Sequence, residues 1–200
     1  MLQYYYPTDK FTNTYRSLYI RIGNAVSENP NAPDPSPPQS ILENLWQRFT
    51  GVNVSQIDAL LYVGGEFTPR QWQTLAHMGI QAVLSLQAER ADTFSEPLPK
   101  RTLRLPVPDW HPPTLEQLAE GVSFIRAAHA AELPVLVHCQ AGMGRAPTTA
   151  AAYLVAEQGM SASAALSYIR SRRPIITPSP DQVARLREWE RQVRGAAAGG

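Results

Sequence analysis

From about residue 41 onward, short runs of apolar residues alternate with longer stretches whose apolar positions recur every three or four residues. Four short runs predict β-strands, at residues 59–63, 81–86, 102–107 and 134–138. The last run, Pro-Val-Leu-Val-His, is apolar on both faces, which is typical of a central strand in a parallel sheet.

Helix starts are marked by a Ser or Thr followed three residues later by Gln, the pattern of a capping box. These pairs are Thr68 with Gln71, Thr114 with Gln117, and Ser179 with Gln182. Two further helices are predicted at about 147–157 and 161–171. Strands separated by helices indicate βαβ units. The sequence therefore predicts an α/β fold with a mostly parallel central sheet flanked by helices.

The two ends of the chain differ from this pattern. Residues 29–38 hold five of the 18 prolines, so residues 1–40 are predicted to form an N-terminal extension with a proline-rich linker. Within it, residues 15–22 suit either a short element packed on the domain or an arm for a partner. Residues 41–194 are predicted to form one domain, and residues 195–200 a flexible tail.

Composition narrows the function classes. The 18 Lys and Arg nearly balance the 17 Asp and Glu, which argues against a nucleic-acid partner or an anionic membrane surface. No apolar run reaches about 18 residues, so integral membrane association is not expected. One cysteine excludes an intrachain disulfide, suits a reducing cytoplasm, and leaves no Cys-based zinc cluster. The scattered histidines predict no metal site.

The segment 138–148 carries the candidate chemistry, because it joins the buried strand at 134–138 to the next helix. Gly142 and Gly144 permit tight curvature, so that successive backbone N–H groups can converge on an anion. The helix start adds the positive end of its dipole, and Arg145 offers a planar fork for phosphate oxygens. The predicted phosphate-binding residues are Gln140, Ala141, Gly142, Met143, Gly144 and Arg145.

Cys139 lies at the floor of the same loop. The N–H groups, the helix dipole and Arg145 all favour its thiolate form. A thiolate beneath a bound phosphate is a nucleophile for phosphoryl transfer.

His138-Cys139-x5-Arg145 resembles the signature loop of the cysteine-dependent protein tyrosine and dual-specificity phosphatases, and the resemblance covers roughly residues 57–190. It implies a phosphatase-like catalytic domain, a phosphocysteine intermediate on Cys139, and no metal or organic cofactor. It also implies that His138 hydrogen-bonds the loop and supports its geometry. The six-residue step from Cys139 to Arg145 differs from the shorter loop of rhodanese-type sulfurtransferases.

Asp109 is the candidate general acid. It lies 30 residues before Cys139 (139 − 109), in a segment with prolines on both sides that is similar to the acid loop of small atypical dual-specificity phosphatases. In that role it would protonate the departing oxygen of a phosphomonoester. Asp92 and Asp181 are the next candidates.

Gln182 has two readings: the family resemblance implies that it positions the attacking water, and the capping box alone also explains it. Ala146 departs from the family, which usually has Ser or Thr after the arginine; Thr148 or Thr149 is the candidate replacement. Arg172 and Arg173 suit either an anionic substrate rim or a helix C-terminus.

The expected function is a protein tyrosine or dual-specificity phosphatase that acts on a phosphorylated protein in the cytoplasm. The alternatives are a phosphoinositide or phosphoglucan phosphatase, since Gly142–Pro147 is similar to the loop of plant glucan phosphatases, and a phosphate-binding protein without activity. The uncharged loop residues 140–144 favour a singly phosphorylated substrate.

Overall fold

The structure is a computed structural model that describes residues 51–198. The predicted extension at 1–40, including residues 15–22, lies outside this range. The described part contains five strands and five helices. The strands are β1 (Val54–Gln56), β2 (Leu61–Gly64), β3 (Ala82–Gln87), β4 (Arg101–Val107) and β5 (Val135–His138). The helices are α1 (Pro69–His77), α2 (Leu115–Ala130), α3 (Arg145–Gln158), α4 (Ala162–Arg172) and α5 (Pro180–Ala198).

The strands form one sheet in the order β1-β2-β5-β3-β4. β1 runs antiparallel to β2, and the other three pairings are parallel. β5 lies in the centre, with Val137 opposite Val63 of β2 and Leu84 of β3. The predicted α/β fold with a mostly parallel sheet is confirmed. β1 was not predicted, because three residues are too few to show an alternating pattern.

Alternate residues of the strands enter two separate cores, as the two-residue period of a strand requires. Val63, Leu84 and Val137 join the larger core, to which α2, α3, α4 and α5 contribute their buried faces. On the opposite face, Tyr62, Val83 and Leu136 meet Trp72 and Leu75 of α1. The sheet is therefore covered on both sides, and its ends are left for the loops.

Local signals set most helix starts. The capping boxes at Thr68 and Thr114 are both complete, with the hydroxyl accepting from the third-residue N–H and the Gln side chain accepting from the cap. At α5, the Ser179 N–H donates to Gln182 Oε1 at 2.9 Å, and the Gln182 N–H donates to Ser179 Oγ at 3.2 Å. Within residues 51–198, no helix combines the length and apolar character needed to cross a bilayer.

Two helix ends differ from the sequence-based boundaries. α3 begins at Arg145, two residues before the predicted start at 147. α5 continues through Ala198, past the domain boundary predicted at residue 194. The flexibility of residues 195–200 stays a prediction. Alanine is the strongest helix former, and three consecutive alanines after Gly195 outweigh the cost of that one glycine.

Candidate active site

The candidate site lies at the carboxyl end of the central strand. β5 ends at His138, Cys139 follows at once, and the loop through Gly144 enters α3 at Arg145. The Cys139 side chain is buried, and its N–H points toward the Gly64 carbonyl at 3.4 Å. In open parallel sheets, ligands bind in the crevice outside the carboxyl ends of the strands, so this is where the fold favours a ligand site.

The carbonyl groups of residues 140–144 are all taken by donors outside the tip of the loop. The Glu66 N–H donates to Gln140 O at 2.9 Å, and the Thr177 N–H donates to Met143 O at 2.8 Å. The Gly144 carbonyl accepts from Thr148, and the Ala141 and Gly142 carbonyls accept from side chains.

In a planar trans peptide, the C=O and the N–H of the next residue point in opposite directions. The outward carbonyls of 140–144 therefore turn the N–H groups of residues 141–145 toward the interior of the loop. Successive N–H groups in such a turn form an anion-binding concavity. Gly144 at the N-cap of α3 supplies no side-chain acceptor, so this helix start also remains available to an anion.

The two loop glycines are needed for different reasons. Gly142 has φ +67°, and a Cβ there would lie 2.4 Å from the Gly64 carbonyl. Gly144 has φ −120°, so it does not need the positive φ that glycine permits. Its lack of a side chain makes room for Gln182 instead, because a Cβ on Gly144 would lie 2.6 Å from Gln182 Oε1.

Arg145 is 1% exposed and links the loop to two other segments. Its Nη1 donates to Val107 O at 2.7 Å and to Glu89 Oε1 at 3.0 Å, and its Nη2 lies 3.0 Å from Asp109 Oδ1. The buried Nε has no hydrogen-bond partner among residues 51–198. A buried charged donor without a partner is costly. An anion held by the loop would satisfy it.

Glu89 lies just after β3 and was not singled out from the sequence. Burial by itself would raise its pKa. Its own backbone N–H and the hydrogen bond and charge of Arg145 outweigh burial, so the pKa lies below the usual Glu value. An acid directly after a strand beside β5 was the available signal, since strand ends meet at one edge of the sheet.

We expect Glu89→Gln to destabilise the protein at neutral pH. A lowered folded-state pKa means that the carboxylate stabilises the fold above the ordinary Glu range and loses this effect as pH falls through the lowered value. Denaturant unfolding of both proteins should show a gap at pH 7 that narrows below about pH 4. Glu120→Gln, on the exposed face of α2, is the control. A gap that widens on acidification would contradict the expectation.

Asp109 follows β4, and its side chain is 52% exposed while its Oδ1 contacts Arg145. The surrounding backbone is held on several sides: the His111 N–H donates to Pro108 O at 3.2 Å, and Ser179 Oγ donates to Trp110 O at 3.2 Å. Trp110 has φ +64°, a costly conformation for a bulky residue. The Asp109 carboxylate and the Cys139 loop therefore meet at the same residue, Arg145.

Gln182 is buried between the loop and the acid segment. Its Oε1 accepts from the Ser179 N–H and lies beside Gly144, and its Nε2 donates to His111 O at 3.0 Å. The capping role predicted for this residue is present. Its position beside Gly144 is also compatible with the water-positioning role, which stays a prediction.

His138 pairs with a residue that the sequence offered as an alternative acid. Its Nε2 lies 2.9 Å from Asp92 Oδ2, and its Nδ1 has no partner within residues 51–198. The partner found for His138 is thus a carboxylate and not the loop backbone expected from the family resemblance. Asp92 is paired with the buried His138 ring, whereas Asp181 is exposed in the first turn of α5.

Asp92→Ala is expected to lower the free energy of unfolding by about 1–3 kcal/mol, because the buried His138 ring loses its partner. Asp92→Asn keeps an acceptor at the same place, so its loss should be smaller. Denaturant unfolding at pH 7 measures both. Equal losses in the two variants would show that the contact with His138 is not the cause.

The residues after Arg145 do not replace the missing hydroxyl. Ala146 is fully buried. Thr148 Oγ1 donates to Gly144 O at 2.8 Å, and Thr149 Oγ1 donates to Arg145 O at 3.1 Å. Both hydroxyl protons are therefore used inside the helix, and within the described residues neither hydroxyl bonds the Cys139 sulfur.

Of the two interpretations left open for Arg173, the structure fits the helix C-terminus, since Arg173 caps α4. The substrate rim is wrong for this residue, which is buried and bonds Gly142 O through Nε at 2.8 Å. The Arg172 guanidinium lies 5.6 Å from the centre of the Tyr168 ring. Among residues 51–198, no group of three or more His, Cys, Asp and Glu side chains is arranged to hold a metal ion.

The family model described as "Dual specificity phosphatase, catalytic domain" matches residues 61–192. The chain belongs to this family. The resemblance read from His138, Cys139 and Arg145 is thereby confirmed, and the matched range contains the loop, the acid segment and Gln182.

Two curated relatives illustrate the distance to known members. Dual specificity protein phosphatase Mpk3 of Drosophila melanogaster is 30% identical over 142 residues, which is 70% of this chain and 34% of the relative. Dual specificity protein phosphatase 8 of Homo sapiens is 31% identical over 150 residues, 74% of this chain and 24% of the relative. The chain thus spans about a quarter to a third of these relatives.

The chain matches two solved structures over nearly their whole length. PTPMT1 in complex with PI(5)P has a TM-score of 0.67 at 26% identity, covering 72% of this chain and 98% of that one. Tk-PTP in the active form has a TM-score of 0.65 at 28% identity, covering 70% and 97%. The chain therefore shares its fold with both of these solved proteins.

Proposed function

We propose that this chain is a phosphomonoester hydrolase, a protein tyrosine or dual-specificity phosphatase that acts through a phosphocysteine intermediate. The observation that carries the proposal is the Arg145 Nε, buried and unpartnered within residues 51–198, at a loop whose N–H groups face inward beside Cys139. A tetrahedral phosphate has the charge and the oxygens to satisfy both sets of donors.

In the first step, the Cys139 thiolate attacks phosphorus, an S–P bond forms, and the P–O bond to the leaving group breaks. The N–H groups of 141–145 and Arg145 hold the three remaining oxygens, which stabilises the charge of the transition state. Asp109 donates its proton to the departing oxygen. Its contact with Arg145 Nη2 supports this role, because it puts the acid beside the group that holds the phosphate.

In the second step, water attacks phosphorus, the S–P bond breaks, and Cys139 leaves as a thiolate. Asp109, now deprotonated, takes the proton of the water. Gln182 is proposed to orient that water, supported by its position between Gly144 and the acid segment. The products are the dephosphorylated substrate and inorganic phosphate, and neither step requires a metal or an organic cofactor.

A singly phosphorylated protein side chain is the proposed substrate. The loop residues 140–144 are uncharged, and Arg173 is buried against the loop, where it is not open to a second phosphate. A reducing cytoplasm suits the thiolate. Phosphoinositide hydrolysis is an alternative that needs testing, because the similar protein PTPMT1 was solved in complex with PI(5)P. A binding-only role would need Arg145 but neither Cys139 nor Asp109.

Hydrolysis of an aryl phosphate by the full chain tests the proposal, with orthovanadate as inhibitor. Phosphotyrosine peptides, phosphoserine peptides, short-chain phosphoinositides and a phosphorylated glucan are then compared by kcat/KM. We expect turnover that vanadate blocks and a preference for phosphopeptides. Vanadate binding without turnover would identify a binding protein, and a preference for lipid or glucan would replace the proposed substrate.

Ala146 should leave phosphoenzyme hydrolysis as the slow step. The Thr148 and Thr149 hydroxyls donate to backbone carbonyls, so the leaving thiolate is stabilised by the loop N–H groups, the helix dipole and Arg145 but by no hydroxyl of these residues. Rapid mixing with an aryl phosphate should therefore show a burst of phenol followed by slower turnover. Ala146→Ser is expected to raise the steady-state rate about tenfold, as one added hydrogen bond to a charged group can. A wild-type reaction with no burst would contradict this.

A further inference from the structure

Arg173, the residue directly after α4, is 1% exposed and lies against the outer side of the phosphate loop. Its Nε donates to Gly142 O at 2.8 Å, and its Nη2 lies 3.4 Å from Ala141 O. The same guanidinium also donates to Asn53 Oδ1 at 2.6 Å and to Ser55 Oγ at 3.2 Å. One planar side chain thus joins two carbonyls of the loop to the first strand.

Asn53, just before β1, closes this arrangement. Its Oδ1 accepts from Arg173, and its Nδ2 donates to Ala141 O at 3.2 Å. Asn53, Arg173 and Ala141 therefore form a closed ring of hydrogen bonds between segments that are distant in sequence. Because both ends of the Asn53 amide are used, replacing either side chain breaks the ring.

Glycines make the space for these two side chains, which is independent of the hydrogen bonds themselves. A Cβ on Gly65 would lie 2.6 Å from Asn53 Nδ2, and a Cβ on Gly142 would lie 2.7 Å from Arg173 Nη2. Any larger residue at either position would push Asn53 or Arg173 away from the loop. The two glycines therefore leave the space that the Asn53 and Arg173 side chains occupy.

We propose that Asn53 and Arg173 are positioning residues that keep the N–H groups of Gly142 and Met143 directed at the phosphate; this deepens the proposed function and rests on it. The Ala141 carbonyl shares a peptide plane with the Gly142 N–H, and the Gly142 carbonyl shares one with the Met143 N–H. Holding the two carbonyls outward fixes both N–H groups inward.

The conformational freedom of the Gly142 backbone explains why these two side chains are needed. Gly142 reaches positive and negative φ with similar ease, so the adjoining peptide planes can rotate at low cost. A rotated plane would turn a carbonyl oxygen toward the phosphate and repel it. Asn53 and Arg173 make the outward arrangement the stable one, because the rotation would break their hydrogen bonds.

The test compares Asn53→Ala and Arg173→Lys with the wild-type full chain. Lysine keeps the positive charge but lacks the fork that reaches several oxygens at once. Tungstate affinity is measured by calorimetry, and kcat and KM by aryl phosphate hydrolysis. We expect tungstate affinity to fall about threefold in Asn53→Ala and about tenfold in Arg173→Lys, with KM rising in parallel.

Matched controls lie close to both positions. Gln56→Ala alters an exposed amide in β1, and Arg170→Lys alters an exposed arginine in α4. Both should stay within about twofold of wild type. The double variant Asn53→Ala/Arg173→Lys should lose little more than Arg173→Lys alone, since residues in one network are not additive.

Tungstate affinities within twofold of wild type in folded Asn53→Ala and Arg173→Lys would overturn the proposal. Where Arg173→Lys fails to fold, Asn53→Ala alone decides by the same limit. A wild-type chain that binds tungstate but hydrolyses nothing overturns the proposed function, while the positioning role is still judged by tungstate affinity. A wild-type chain that does not bind tungstate overturns both.

Discussion

Replacing Cys139 with serine should reduce aryl phosphate turnover to the uncatalysed background while leaving oxyanion binding intact. A serine hydroxyl is a far weaker nucleophile than a thiolate. The replacement is nearly isosteric in a buried position, and the N–H contact to Gly64 involves only the backbone. The oxyanion is held by other groups, namely Arg145 and the N–H groups of the loop.

The measurements are initial rates and tungstate titration of the two proteins side by side. Cys139 is the only cysteine in the chain, so alkylation of the wild-type protein with iodoacetate provides an independent check on the same sulfur. Tungstate should protect against alkylation. Residual turnover of Cys139→Ser above one per cent of wild type, confirmed in an alkylated sample, would remove Cys139 from the role of nucleophile.

Asp109→Asn should lower kcat for a phosphotyrosine peptide by roughly 10²–10⁴-fold, the usual range for a lost general acid. The contact with Arg145 adds a second expectation. The Asp109 carboxylate and a phosphate compete for the same guanidinium, so removing the charge should leave tungstate affinity unchanged or improved. A fall in kcat with no loss of oxyanion affinity separates a role in proton transfer from a role in binding.

Substrates with different leaving groups sharpen this test. A nitrophenolate departs without much help from a proton, so Asp109→Asn should affect nitrophenyl phosphate less than phosphotyrosine. Asp181→Asn, at the exposed start of α5, is the matched control and should stay within twofold of wild type. Equal losses for both substrates, or a larger loss in Asp181→Asn, would assign the proton to another group.

Sequence patterns predicted the features that are local. Apolar runs located β2, β3, β4 and β5 to within a few residues, and the capping boxes located the starts of α1, α2 and α5. Cys139 and Arg145 were singled out because one seven-residue stretch of the loop contains both. Asp109 was singled out because its proline-flanked segment resembles the acid loop of small atypical dual-specificity phosphatases.

The partners of these residues were missed because their contacts are non-local. Glu89 meets Arg145 across 56 positions, and Asp92 meets His138 across 46. Asn53 reaches Ala141 across 88 positions, from a position just before a strand too short to predict. Arg173 looked like a typical C-terminal helix residue, and only the folded chain shows its guanidinium buried against the loop. Such pairs depend on which strand ends are neighbours, a property of the sheet order.

The position of β1 bears on how the domain can be shortened. The region common to the family begins at residue 61, after β1. A fragment trimmed to that boundary would lose Asn53 and Ser55, the side chains that accept hydrogen bonds from two nitrogens of the Arg173 guanidinium. It would also leave β2 as an unpaired sheet edge, with one side of Gly65 no longer covered. A fragment that keeps these contacts therefore starts upstream of the shared region, at or before residue 52.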